Sequence, residues 1–316
     1  MKFDLRINKG RIPGLGKLVY LNYEEILDFF KTNTTSWDKS IKTNSKSQLL
    51  NILETNFLNK KRDIYFFDEI TKFSEMSYLI QKAPYKEPII DLCCGYAYWI
   101  SKTLKSIDLG IDLFPKEGPY ARTINGFVEN KFIDNVYKSV LKANITKQLP
   151  LPDNFANTVF SICAFEHIDK SKHTSAFKEI NRILKPGGRF IFTVQTKLTL
   201  DKITEVFSTK FVNFIHESGF QNNELMNSSY WVRLIDKSGF EIIQKEGHIA
   251  NDLIILWATS VYPIWYKSWI NKLGFSDLVR KNKNLTEIFF RQILPSLCME
   301  TDFNKSSLIM FECKKK

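Results

Sequence analysis

IIDLCCGYAYW (89–99), followed by LGIDLF (109–114), reads as a short buried strand, a tight turn, the start of a helix and a second strand. The run at 89–92 is apolar apart from one aspartate, the pattern of a strand covered on both faces. Residues without bulk in the turn let a ligand press against the backbone, and N–H groups at a helix start can bind a carboxylate. Asp112, closing the second strand, stands where an acidic side chain accepts hydrogen bonds from two ribose hydroxyls. Each residue also has a structural alternative: Asp91 can cap the turn, Cys93 and Cys163 can be small core residues, and Asp112 can end a strand in solvent.

Outward from this turn, strand-like runs continue at VLKANI (140–145), TVFSICA (158–164), RFIFTV (189–194), FEIIQKE (240–246) and SLIMFEC (307–313). Helical stretches such as TSAFKEINRIL and YWVRLIDKSG lie between them. With IIDL (89–92) and LGID (109–112) this predicts an α/β fold, a Rossmann-like, mainly parallel, seven-stranded sheet with helices on both faces. Such sheets bind ligands at the carboxyl ends of their strands, so functional residues are expected just after 92, 112, 145 and 164. Residues 1–85 read as a helical extension, with YEEILDFFK, SQLLNILETNFL and DEITKFSEMSYLIQ each spacing apolar side chains three or four apart. Pro84 and Pro88 mark its boundary. Residues 195–228 and 247–305 are long for connections inside a compact domain and are expected to carry function or substructure. The predicted organisation is therefore an N-terminal extension or lid (1–85), a core (86–246 and 306–316), and an aromatic helical insertion (247–305) that serves as a cap or faces a membrane.

The balance of 44% hydrophobic and 25% charged residues over 316 positions is that of a globular protein and excludes disordered and collagen-like classes. The start, MKFDLRINKGRIPGLGK, has no apolar signal-peptide core, and five cysteines without C-x-x-C spacing suggest neither disulfides nor a zinc site, so a cytoplasmic protein without a metal is expected. The net charge of +11 is compatible with nucleic acid, an anionic membrane surface, or a lysine-rich solvated exterior. GRIPGLGKL lacks phosphate-loop spacing and no G-x-S-x-G occurs, which removes kinase and hydrolase readings. A nicotinamide site shares the strand, turn, helix and acid order, yet G-x-G-x-x-G is absent and no glycine stands where the third would allow close helix packing.

IIDLCCGYAYW, LGIDLF, ANITKQLPLPDNFANTVFSICAFEHI and AFKEINRILKPGGRFIFTV, in that order, resemble the class I S-adenosylmethionine-dependent methyltransferases of the small-molecule type, which include the ubiquinone and menaquinone biosynthesis enzymes. With WVRLIDKSGFEII the likeness covers roughly 88–246. It implies that Asp91, Cys93, Gly95, Tyr96 and Ala97 hold the methionine end of S-adenosylmethionine, Asp112 and Leu113 the ribose side, Asn144 and Ile145 the adenine, and Ala164 and Phe165 the wall beside the sulfonium. LKPGG makes a structural turn. The family's usual D-x-G-x-G-x-G is here D-x-C-x-G-x-A, and an alanine in a left-handed conformation would be strained. Asn144 replaces a common aspartate, and its carbonyl can still accept from the adenine amino group.

Methyl transfer from a sulfonium is an in-line displacement that rests largely on positioning. If the acceptor is a hydroxyl a base helps, and His167 is the candidate, with the start of the next helix as its structural alternative. CAFEHI stands where a DNA amino-methylase would carry its polar-Pro-Pro-aromatic tetrad, which disfavours DNA; RNA remains an alternative because of the charge. LIILWATSVYPIWYKSWI (253–270) is too short and interrupted to span a membrane and reads as a cap, a dimer contact, or an interfacial segment with Trp257, Trp265, Tyr266 and Trp269 at headgroup depth. The expected function is methyl transfer to a small-molecule or glycan/lipid-linked acceptor, oxygen favoured. A non-catalytic binding protein on the same fold is the rival, made credible by Cys93 and Ala97.

Overall fold

In a computed structural model, the structure describes residues 6–7, 19–20, 40–58, 68–95, 100, 102–113, 136–214, 224–250, 253–255, 258 and 279–316. Among the described residues there are twelve strands: β1 (Arg6–Ile7), β2 (Val19–Tyr20), β3 (Ser40–Ile41), β4 (Tyr85–Lys86), β5 (Ile89–Leu92), β6 (Ile107–Asp112), β7 (Tyr137–Lys142), β8 (Ala156–Ile162), β9 (Leu184–Gln195), β10 (Phe240–Ala250), β11 (Glu300–Thr301) and β12 (Ser306–Lys315). Ten form one sheet in the order β11-β10-β12-β9-β8-β5-β6-β7-β1-β2, and β3 pairs with β4 in a second.

Strands β7, β6, β5, β8 and β9 run parallel, with Asp91 opposite Gly110 on one side and Phe160 on the other. β12 is antiparallel to both β9 and β10, which places β10 parallel to the central strands. The chain leaves β5 toward β6 and later returns to its other side at β8. Open α/β sheets bind ligands at such a reversal, here at the carboxyl end of β5.

All seven strands read from the sequence are present. β7 begins three residues earlier than VLKANI suggested, because Tyr137 and Val140 bury their side chains against β6, and it ends at Lys142, after which Ala143 N–H makes a last bond to the Asp112 carbonyl. The sheet is larger than seven strands because the N-terminal extension contributes β1 and β2 beyond β7, and Glu300–Thr301 adds an edge beyond β10. Two-residue strands carry too little periodicity to be read from sequence. YEEILDFFK lies outside the described residues.

Helices cover both faces. α1 (Lys46–Leu58) and α2 (Asp68–Lys82) are the two described helices of the extension. α2 buries Phe73, Met76 and Leu79, three residues apart, in a core shared with Ile89, Ile191 and Met310. On the opposite face α3 (Lys170–Ile183) and α6 (Ser228–Lys237) bury Phe177, Ile180, Trp231 and Ile235 against Phe190, Phe192 and Phe311. Between them in sequence lie α4 (Leu198–Val206) and α5 (Thr209–Phe214), so the long connection after β9 is partly helical.

The turn LKPGG sits at the start of β9, with Gly187 at φ +74°. A side chain at Gly188 would meet the Lys185 carbonyl oxygen at 2.8 Å, so both glycines are needed there. Within the insertion, α7 (Lys283–Ile288) continues through a π turn, Phe289–Ile293, into Leu294–Leu297. Arg291 ties this segment to α1 through Asn51 and through Glu54 at 2.8 Å. Of the aromatic stretch 253–270 only Leu253, Ile254, Ile255 and Ala258 are described, and Leu253, Ile254 and Ala258 are buried. Among the described residues no helix is long and apolar enough to cross a membrane.

Candidate functional site

After Leu92 the chain turns through Cys93 at φ +56° and Gly95 at φ +51°. Two backbone hydrogen bonds hook this turn over the end of β6: Cys94 N–H donates to the Ile111 carbonyl at 3.1 Å, and Gly95 N–H to Asp112 Oδ2 at 3.0 Å. Among the described residues a side chain at Gly95 would meet nothing within 4 Å, so these leave open ground beside it. Cys93, at the first glycine of the pattern, takes this left-handed conformation; Tyr96 and Ala97, where the strained alanine is expected, lie outside the described residues. A non-glycine residue in that conformation costs roughly 1–2 kcal/mol.

Asp91 and Asp112 end adjacent strands and are both buried. Asp91 Oδ2 accepts a hydrogen bond from the Tyr137 hydroxyl, a contact between β7 and β5 that the sequence reading missed. Burial pushes the Asp91 carboxyl up to about 7, against the pull of the Tyr137 hydroxyl, and the Asp112 charge adds to the rise. Leu113, next in sequence, is 50% exposed. Beyond β7, Asn144 Oδ1 accepts from the backbone N–H of Thr146 at 2.9 Å and from its hydroxyl at 2.8 Å, closing an Asx turn, while Ile145 is buried in the core.

At the end of β8 the chain turns again through a non-glycine residue, Cys163 at φ +54°. Its Sγ donates to Glu166 Oε1 at 3.1 Å, and that oxygen also accepts from Gln195 N–H at 3.3 Å. Glu166 is 1% exposed; its Oε2 and Gln195 Oε1 are buried without a hydrogen-bond partner among the described residues. Burial, partly countered by nearby His167, raises the Glu166 carboxyl above its ordinary range. Glu166 is not singled out by the sequence, where one acidic residue in an otherwise apolar strand-end tract is its signal. His167 is half-buried and closes a short 3-10 turn, Phe165–His167, its N–H bonded to the Ala164 carbonyl at 3.0 Å.

Ala164 is buried, and Phe165 turns its ring into the core, 4.9 Å from the Phe177 ring and 5.6 Å from that of Phe192. Phe165 therefore offers a ligand at most its backbone. His173, not singled out from the sequence, is a structural residue, with Nε2 donating to the carbonyls of Phe165 and Ile168, each at 3.0 Å. Burial pushes the thiols of Cys93, Cys94 and Cys163 well above their ordinary range, with neighbouring carboxylates adding to the rise. Thiolate nucleophiles are thereby disfavoured. Among the described residues no group of three or more His, Cys, Asp and Glu is arranged to hold a metal ion.

Residues 90–192, about a third of the chain, match the family model of the methyltransferase domain. Among solved structures the chain is similar to an S-adenosylmethionine-dependent methyltransferase from Thermotoga maritima, at 16% identity and a TM-score of 0.49, over 85% of this chain and 100% of that one. It is also similar to one from Mesorhizobium loti, at 12% identity and a TM-score of 0.42, over 79% of this chain and 100% of that one. No curated protein matches the chain in sequence.

Proposed function

We propose, with residues 90–192 belonging to the class I S-adenosylmethionine-dependent methyltransferases as the premise, that this protein methylates a small-molecule, glycan or lipid-precursor acceptor, with oxygen the favoured atom. The observation that carries the reading is the turn at 93–95, open beside Gly95 and hooked to Asp112, with a second buried carboxylate, Asp91, at its base. The donor set suits a ligand carrying an ammonium group and a ribose diol: buried carboxylates favour a cation, and strand-end acids accept from hydroxyls. Bound there, S-adenosylmethionine supplies an electrophilic methyl group. Asp91 and the 93–97 turn would hold its methionine end, Asp112 and Leu113 its ribose side, and Asn144 and Ile145 its adenine. With both lone pairs of Asn144 Oδ1 engaged by Thr146, the Asn144–Ile145 segment would act chiefly by shape.

The acceptor would lie along the carboxyl ends of β8 and β9. Glu166 Oε2 and Gln195 Oε1 suit an acceptor bearing hydrogen-bond donors, because buried polar atoms are normally paired. An oxygen acceptor is supported by proton-accepting groups at the end of β8, where His167 is the candidate base and Glu166 stands next to it. The helices of the extension and of the insertion, joined by Arg291, would serve as a lid.

Calorimetric titration with S-adenosylmethionine and, separately, NAD tests the class. Micromolar binding of the first alone is expected, weakened tenfold or more in Asp112→Ala. Binding of NAD, or of neither compound, would overturn the reading; equal affinity in variant and parent would remove Asp112 from the ribose site.

A further inference from the structure

Tyr137 is on β7 and Asp91 on β5, with β6 between them, yet the Tyr137 hydroxyl donates to Asp91 Oδ2. The space for this crossing is at Gly110, the residue of β6 directly opposite Asp91. A Cβ at Gly110 would stand 3.2 Å from both Cγ and Cδ1 of Tyr137 and 3.1 Å from Cys94 Sγ. Gly110 has no left-handed backbone to account for its being glycine, so the room it leaves for the ring accounts for it. Tyr137 is 2% exposed, hence its hydroxyl is shielded from water and committed to the carboxyl group.

Resting on the reading that the 93–97 turn holds the methionine end of the cofactor, we propose that Tyr137 and Gly110 are positioning residues that hold the Asp91 carboxylate for the ammonium group of an S-adenosyl compound. The charged and titratable groups that bear on Asp91 are Tyr137 from β7, Asp112 from the end of β6, and Cys93 and Cys94 from the turn. Among the described residues none of these is a cation, so an ammonium group entering the site meets a carboxyl whose ionisation it favours. Asp91, held up to about 7 by burial and pulled down by Tyr137, then loses its proton as the ligand binds. Ligand affinity consequently rises with pH through neutrality, and the tyrosine hydroxyl sets where on the pH scale it does so.

The test is titration calorimetry with S-adenosylhomocysteine, which keeps the ammonium group and needs no acceptor, from pH 5.5 to 8.5 in buffers of different ionisation enthalpy. The parent protein is expected to bind about tenfold more tightly at pH 8 than at pH 6 and to release a proton near pH 7. Loss of one hydrogen bond to the carboxylate raises its titration by about one pH unit. Tyr137→Phe should therefore bind about fivefold more weakly at pH 7 and within a factor of two of the parent at pH 8.5. Gly110→Ala, which displaces the ring, should give the same profile. A merely structural role would weaken binding alike at every pH, and that outcome, or pH-independent binding by the parent, would overturn the proposal while leaving the methyltransferase reading in place. Absence of binding at every pH would remove both.

Discussion

Asp91 concentrates the chemistry of this site in one carboxyl group, and its buried position makes a prediction apart from any ligand. Its titration lies near 7 in the folded chain, above the ordinary carboxylate range of the unfolded one. Between those limits the folded state binds more protons than the unfolded state, so stability falls as pH rises from about 4 to about 7. Asp91→Asn keeps an acceptor for the Tyr137 hydroxyl and removes that dependence. The variant should match the parent near pH 4 and exceed it by on the order of 3 kcal/mol at pH 7.5 in chemical denaturation. A gain of equal size at both pH values, or none, would refute the assignment. Asp91, Gly95 and Asp112 were legible because their spacing places them at strand ends. Tyr137, Gly110 and the contact of Glu166 with Gln195 were not, since these partners are distant in sequence and only the folded sheet brings them together.

At the scale of elements, the helices that cover the sheet carry their own start signals. Asn227 caps α6, its side chain accepting from Tyr230 N–H at 2.9 Å, and Gly239 follows the helix at φ +83°. Asn227→Ala should lower stability by about 1 kcal/mol, measured by denaturant titration at neutral pH, without altering cofactor affinity. A loss of affinity at unchanged stability would instead give the cap a part in the site. α3 and α6 were readable from their apolar spacing. The strands β1, β2 and β11 were not, because two residues form a strand only when an existing sheet edge offers them hydrogen-bond partners. β7 was displaced in the reading because Ala143 and Ile145 prolong the apolar pattern past Lys142, where the strand ends.

The whole molecule hangs on two apolar layers, one on each face of the sheet, and Phe165 joins the candidate site to one of them. Its ring lies 6.0 Å from that of Trp231 and within reach of Phe177, Phe190 and Phe192. Phe165→Ala should cost about 3–5 kcal/mol of stability, seen as a lower thermal midpoint of the entire protein. Loss of cofactor affinity with that midpoint unchanged would return Phe165 to the wall of the site. The sequence by itself determined the parallel α/β sheet and the strand ends near which Asp91, Asp112, Asn144 and Ala164 lie, because buried strands and their terminal turns write a local pattern of apolar runs and small residues. Only the tertiary structure decided that Cys93 and Cys163 take left-handed turns, that Phe165 points into the core, and that a tyrosine from β7 reaches Asp91 over a glycine. These depend on which strands become neighbours and which face each side chain meets, and no local pattern encodes such long-range geometry.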